Sequence, residues 1–209
     1  VFKPLYLGSK DIVFTANESP PDQPIPFHHE LAQNANPPYY VFFFCDQPAQ
    51  TGGETPIIDS TMVYRFAQEN HSNFVEKLKK VGARYIRTLP PQDDPSSPIG
   101  RSYQNTWGVS SPMELEKKLQ QTPGIEWKWL EDGCVRVTSE VIPALRLVAD
   151  HQNNLVYQWT FNNAIIAAFL GWQDCRNDRH DAVVYGDNSK MDEAVLESIA
   201  NFMEMNKVA

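Results

Sequence analysis

Pro26-Phe27-His28-His29-Glu30, followed further along by Gly52-Gly53-Glu54-Thr55-Pro56-Ile57-Ile58-Asp59, is the stretch on which the reading of this chain turns. On extended backbone, side chains two residues apart point to the same side. The imidazole of His28 and the carboxylate of Glu30 can therefore converge on one metal ion, while His29 faces away. Two histidines and one carboxylate on one face of an ion leave three adjacent coordination positions open to other ligands. His-x-Glu alone is weak evidence and by itself favours a structural or surface histidine over a ligand, so the surrounding sequence has to decide.

The bulk properties narrow the field. The 209 residues fit one domain, residues 1–209, with enough chain to bury a substantial core. A net charge of −8, with Lys and Arg scattered, argues against an electrostatic nucleic-acid binder. The short run Lys77-Leu78-Lys79-Lys80 reads as a solvated helix face. Three widely separated cysteines, Cys45, Cys134 and Cys175, give no CxxC spacing and point to an intracellular, reducing compartment. Cys45 ends the apolar run Tyr39-Tyr40-Val41-Phe42-Phe43-Phe44 and is expected to be buried and inert. That run is far shorter than the ~20 apolar residues that a membrane-spanning helix needs.

Sixteen prolines punctuate the chain, clustering in loops such as Pro20-Pro21-Asp22-Gln23-Pro24 and Asn36-Pro37-Pro38. Between the loops, stretches rich in β-branched and aromatic residues predict strands over 40–45, 83–89, 126–129, 135–141 and 155–161. The continuous apolarity of 40–45 predicts a strand covered on both faces. Helices are expected from Ser60-Thr61 to about Gln68, over 73–80 with Gly82 just beyond, over 113–120 behind Ser111-Pro112, and over 191–205. In the last of these, Val195, Leu196, Ile199, Phe202 and Met203 recur at helical spacing and form a core-facing stripe. The pattern predicts a mainly β domain with peripheral helices (α+β), not alternating βαβ units.

Phe27-His28-His29-Glu30 resembles the aromatic-His-x-Asp/Glu motif of the TauD/TfdA (taurine dioxygenase-like) family of iron(II)/2-oxoglutarate oxygenases, and most closely its clavaminate synthase-like branch, in which Glu can replace Asp. Phe14-Thr15-Ala16-Asn17-Glu18-Ser19-Pro20-Pro21 resembles the usual approach to that motif, and Gly52-Gly53-Glu54-Thr55 the family's Gly-Gly-Asp/Glu-Thr segment. Later segments follow in the family's order. They are Asp94-Pro95-Ser96-Ser97-Pro98-Ile99-Gly100-Arg101, the hairpin Trp129-Leu130-Glu131-Asp132-Gly133, Trp159-Thr160-Phe161-Asn162, and the stretch from Gly171-Trp172 to Gly186-Asp187. Several segments in the right order are far more specific than any one of them.

The resemblance implies a double-stranded β-helix (jelly roll, cupin-like) with helices outside. It also implies oxidative decarboxylation of 2-oxoglutarate, with O2, at Fe(II), coupled to hydroxylation or oxidation of a small organic substrate. His28 and Glu30 are then metal ligands, Thr55 binds 2-oxoglutarate through its hydroxyl, and Asn162 borders the substrate pocket. The family's second histidine ligand and the arginine that pairs with 2-oxoglutarate belong on a strand beyond the helix over 191–205, and the sequence stops at Ala209 before either. His71, His151 and His180 read as exposed loop histidines, and nothing in the family assigns Arg101 the role of anion anchor. A jelly roll lacking its last strands leaves sheet edges and apolar faces to be covered by further chain or by a protein partner. Two readings follow: an oxygenase whose remaining site residues lie in an additional C-terminal segment, or a catalytically inactive relative serving as a structural or assembly subunit of a larger complex.

Overall fold

The computed structural model describes residues 25–97, 99–161 and 174–208. The approach segment 14–21, Pro98, Asn162 and the stretch 171–173 lie outside the described residues. The first ordered elements are helix α1 (Ser60–Asn70), helix α2 (Ser72–Val81) and strand β1 (Ala83–Leu89). Asp59, rather than Ser60, caps α1, its carboxylate accepting from the Thr61 backbone N–H at 2.8 Å. Gly82 ends α2 at φ +68°; a Cβ there would lie 2.8 Å from Val141 Cγ1 and 2.9 Å from the Ile142 carbonyl oxygen, so only glycine fits the turn into β1.

Helix α3 (Tyr103–Trp107) and helix α4 (Pro112–Gln120) follow. Ser111 caps α4, with Pro112 in its first turn, as the sequence predicts. Strands β2 (Glu126–Trp129) and β3 (Val135–Thr138) form a hairpin, and β4 (Leu145–Ala149) and β5 (Leu155–Trp159) form another. Strand β6 (Val183–Tyr185) and helix α5 (Glu193–Met205) complete the described elements. The β2–β3 turn matches the expected Trp-x-x-Asp-Gly hairpin: Gly133 takes φ +80°, and the Asp132 carboxylate accepts from the Cys134 N–H at 2.9 Å.

Both sheets are antiparallel. One has the strand order β2-β3-β1-β6 and the other is the β4–β5 pair. Two apolar cores hold them. In the larger, Val63, Ala67, Val75, Leu78, Trp159, Phe161, Ile199 and Met203 join α1, α2 and α5 to β5. Phe66 and Phe202 stack at 4.0 Å between ring centroids to lock α1 on α5. The predicted stripe on the last helix is therefore a core face. In the smaller core, Leu89, Tyr103, Leu115, Leu119, Val135 and Val137 pack α3 and α4 on the sheet. The lysine run is only partly a solvated face: Leu78 is core, Lys77 lies over the Tyr185 ring and Lys79 over Tyr64 and Tyr157.

Four expectations about the fold need correction. The described residues form a mixed α/β arrangement with antiparallel sheets in which helices contribute more residues than strands, not a mainly β one; the sheets among them do not make up a complete double-stranded β-helix, which the resemblance implied only in incomplete form. Residues 40–45 are not a strand covered on both faces. They have no ladder partner among the described residues, and Tyr39 and Phe42 are 93% and 91% exposed. Apolarity favours burial, but a strand also needs a neighbour for its N–H and C=O groups. Cys45 is accordingly exposed rather than buried. The predicted strands 135–141 and 155–161 are shorter, ending at Thr138 and Trp159. Short helix α3 and strands β4 and β6 carry too little periodic signal to have been expected.

Replacing Leu78, 2% exposed, by Ala is expected to cost about 2–5 kcal/mol in urea denaturation, whereas Met113→Ala, 77% exposed, stays within about 0.5 kcal/mol. Asp94 gives a pH-dependent counterpart. The Ser96 hydroxyl and then the Arg176 guanidinium, 2.8 Å away, hold the Asp94 carboxyl down from 3.8 to about 2. A depressed carboxyl stabilises the fold above its unfolded pKa and loses that contribution as pH falls through its folded one. Asp94→Asn is thus expected to be less stable than the parent near neutrality, with the gap closing as pH falls from about 4 towards 2. Parallel denaturation curves across that range measure it.

Candidate functional site

His28 lies on irregular extended backbone that passes into a turn at Glu30, rather than in a regular strand. The turn is sharp, with Leu31 at φ +52° and the Ala32 N–H bonded to the His29 carbonyl at 3.2 Å. Phe27 packs against the larger core and Ala32 is buried, pinning the segment on both sides of the motif.

His28 Nε2 and Glu30 Oε2 stand 3.9 Å apart. That is too far for a direct hydrogen bond. Two donors at right angles around a first-row ion, with bonds of about 2.1 Å, lie about 3 Å apart, within a small side-chain adjustment of the observed gap. The other ring nitrogen is committed: His28 Nδ1 lies 2.7 Å from the Pro26 carbonyl oxygen. A carbonyl can only accept, so Nδ1 carries the proton, and in the neutral ring Nε2 presents its lone pair towards Glu30. A backbone carbonyl that fixes tautomer and ring orientation is a recurrent feature of metal-bound histidine. The donor set thus fits two positions of a metal centre.

His29 turns the other way. It is half-buried, in contact with the Trp159 backbone at the end of β5. Burial pushes its pKa below the ordinary histidine range; the Trp159 backbone contact opposes this, and the positive charge of Arg146 adds to it. The alternation expected from the motif therefore holds: His28 and Glu30 converge, while His29 ties the segment to the β4–β5 hairpin.

The rest of the predicted site is not drawn together. Among the described residues, no group of three or more His, Cys, Asp and Glu side chains could hold a metal ion. Thr55 is exposed on an irregular segment, and among the described residues no hydrogen bond links it to His28 or Glu30. Gly52 and Gly53 before it take φ +71° and +85°, backbone that glycine adopts without strain. Ile57 then exchanges two backbone hydrogen bonds with Val208, at 2.8 and 2.9 Å. Asn162 lies outside the described residues.

Of the other histidines, His151 is exposed as expected, and His180, also exposed, is hydrogen-bonded to Glu193 at the start of α5. His71, expected in an exposed loop, instead packs between helices: its Nε2 is 2.9 Å from Ser198 Oγ and its ring meets Phe66 edge-on. Two surface clefts stand apart from the half-site. One of about 290 Å³ is lined by Lys79, Gly82, Pro143 and Tyr157, and one of about 500 Å³ by His71, Lys77, Tyr185 and Asp192. Sequence reasoning missed the Pro26 carbonyl as the orienting group, because nothing in an i to i−2 ring contact is visible in residue types. No helix among the described residues is long and apolar enough to cross a membrane.

Comparison with known proteins adds to this geometry. Residues 7–161 match the taurine catabolism dioxygenase TauD, TfdA family. A clavaminate synthase-like protein of Arabidopsis thaliana is 38% identical over 197 residues, covering 94% of this chain and 58% of that protein. The dapdiamide synthesis protein DdaC of Enterobacter agglomerans is 30% identical over 134 residues, covering 64% of this chain and 37% of that protein. The chain thus spans little more than half the length of the first relative and less of the second. The match over 7–161, together with the Arabidopsis likeness across nearly the whole chain, shows that it belongs to the TauD/TfdA family, in the clavaminate synthase-like branch.

Proposed function

We propose that the protein is an Fe(II)/2-oxoglutarate-dependent oxygenase that hydroxylates or oxidises a small organic substrate. The observation that carries this is the orientation of His28 Nε2 towards Glu30 by the Pro26 carbonyl, in a chain whose family is one of dioxygenases. His28 and Glu30 would hold iron(II), and Thr55 would donate its hydroxyl to 2-oxoglutarate. When bound, the iron supplies the oxidative chemistry, with O2 and 2-oxoglutarate as co-substrates and succinate and carbon dioxide as their products. The chain's own contribution is positional. The Pro26 carbonyl holds the His28 ring, and the contact of His29 with the Trp159 backbone ties the segment to the β4–β5 hairpin.

The third metal ligand, a histidine, and the arginine that pairs with 2-oxoglutarate belong to a further segment of the full protein in this reading. So do the remaining strands of a jelly roll of which residues 1–209 are one partial domain. The longer relatives support this, as does the uncovered run Tyr39-Tyr40-Val41-Phe42-Phe43-Phe44, whose exposed apolar side chains suit a strand waiting for a neighbour. Asn162 is assigned to the rim of the substrate pocket. The second reading, an inactive relative acting as a structural or assembly subunit, draws on the same exposed run but leaves the oriented His28 without a purpose.

The test is 2-oxoglutarate consumption and succinate release by the full-length protein supplied with iron(II) and oxygen, alongside equilibrium iron(II) binding. His28→Ala and Glu30→Ala are each expected to lower iron affinity by about 10–100-fold or more and to abolish succinate release. Thr55→Ala should raise the KM for 2-oxoglutarate by about tenfold while iron binding persists. Unchanged iron binding in both ligand variants would refute the half-site, and a full-length protein that binds no iron would establish the structural reading.

A further inference from the structure

A second cluster of chemistry lies away from the half-site, where β1 meets residues 99–101. Arg87 on β1 donates through Nη2 to the Ile99 carbonyl at 2.6 Å. Arg101, two residues further on, donates through Nη2 to the Asn105 carbonyl. Neither guanidinium has an ion pair among the described residues, and the Nε–H of each is buried without a hydrogen-bond partner. The two cations are close enough to repel one another, and burial depresses the pKa of each.

The carboxylates nearby are already engaged. Asp93 accepts from the Ser102 N–H at 2.8 Å and the Asn105 amide at 2.5 Å. Asp94 takes Ser96 and Arg176, and Asp174 takes Arg176 and Asn177. Asp174 and Asp93 therefore reach Arg87 and Arg101 only as distant charges. Holding like charges side by side without a direct counter-charge, one of them largely buried on β1, is costly, and leaving the buried Nε donors unpaired adds to that cost. What the cluster lacks is an acceptor-only group with negative charge. Guanidinium groups meet oxyanions through paired, charge-assisted hydrogen bonds.

We propose that Arg87 and Arg101 form a binding site for a small oxyanion, a phosphate or a carboxylate, held between β1 and residues 99–101. The Nη1 groups make no hydrogen bond among the described residues and are the first contacts open to the anion. The site is separate from the iron and 2-oxoglutarate assignment and does not depend on it.

The experiment is isothermal titration, with thermal denaturation in parallel, of the protein in an uncharged or zwitterionic low-salt buffer, using inorganic phosphate in one arm and acetate in the other. One saturable event is expected in at least one arm, with a rise in Tm of roughly 5–10 °C at a hundredfold excess over Kd. Arg101→Gln should raise Kd at least tenfold, and Met113→Ala, on the exposed face of α4, should leave it unchanged. Phosphate alone, or acetate alone, would assign the class of anion. No saturable binding in either arm, binding retained in Arg101→Gln, or binding lost in Met113→Ala would each overturn the proposal. A purely structural role for the arginines predicts that Arg101→Gln shifts Tm equally with and without anion. Since Arg87→Gln risks unfolding, Arg101→Lys is the second variant. It keeps the charge but loses the fork, and should bind with intermediate Kd if the site is real; binding equal to the parent would also count against it.

Discussion

Arg84 is the tie on which the larger sheet depends. It sits near the start of β1, an inner strand of the sheet, 4% exposed, and four of its five guanidinium N–H groups are hydrogen-bonded. It donates to the Ser139 carbonyl beyond β3, to Glu126 at the start of β2, to the Gly124 carbonyl before it and to Asn188 in the turn after β6, all at 2.8–2.9 Å. One side chain on β1 thereby binds the ends of the three other strands. Glu126 remains largely in water while Arg84 does not, so the pair alone would not repay the burial. The two backbone carbonyls and the Asn188 amide complete the compensation. The sheet between the two cores keeps its register because of this satisfied cation.

The rest of the molecule is arranged around that sheet. Helices α1, α2 and α5 cover one core and α3 and α4 the other, and the β4–β5 hairpin carries Trp159 to meet His29. The motif segment is therefore anchored to the larger core from behind, through Phe27 and His29, while His28 and Glu30 face outward. The packing thus gives the pair rigid backing and an open front.

How much of this was legible in the sequence depended on how local the determining physics is. Helix α2 with Gly82, helix α4 behind Ser111-Pro112, the stripe of α5 and the β2–β3 hairpin all follow from caps, turn residues and short-range periodicity, and each was readable. The convergence of His28 and Glu30 is an i, i+2 relation and was equally plain. Residues 40–45 misled because six apolar residues announce burial, yet their pairing partner is a long-range matter that residue types do not encode. His71 failed in the opposite direction: a histidine at a helix boundary reads as exposed, but Ser198 and Phe66 approach it from elsewhere in the fold. Short β6 and α3 exist only because β1 and the smaller core receive them.

Asn177 has a wider consequence. Strand β6 accompanies β1 only from Ala83 to Tyr85, and among the described residues the ladder then runs out. At Thr88 the Asn177 side chain takes over, its carbonyl accepting from the Thr88 N–H at 2.6 Å and its amide donating to the Thr88 carbonyl at 3.1 Å. A primary amide has the same donor and acceptor pair as a peptide unit, so it imitates the next residue of the missing strand. Sheet edges left open recruit other chains, and Asn177 closes this one at the point where it would otherwise be sticky. A single side chain here acts as a guard against aggregation, built from the same hydrogen bonds that aggregation would use.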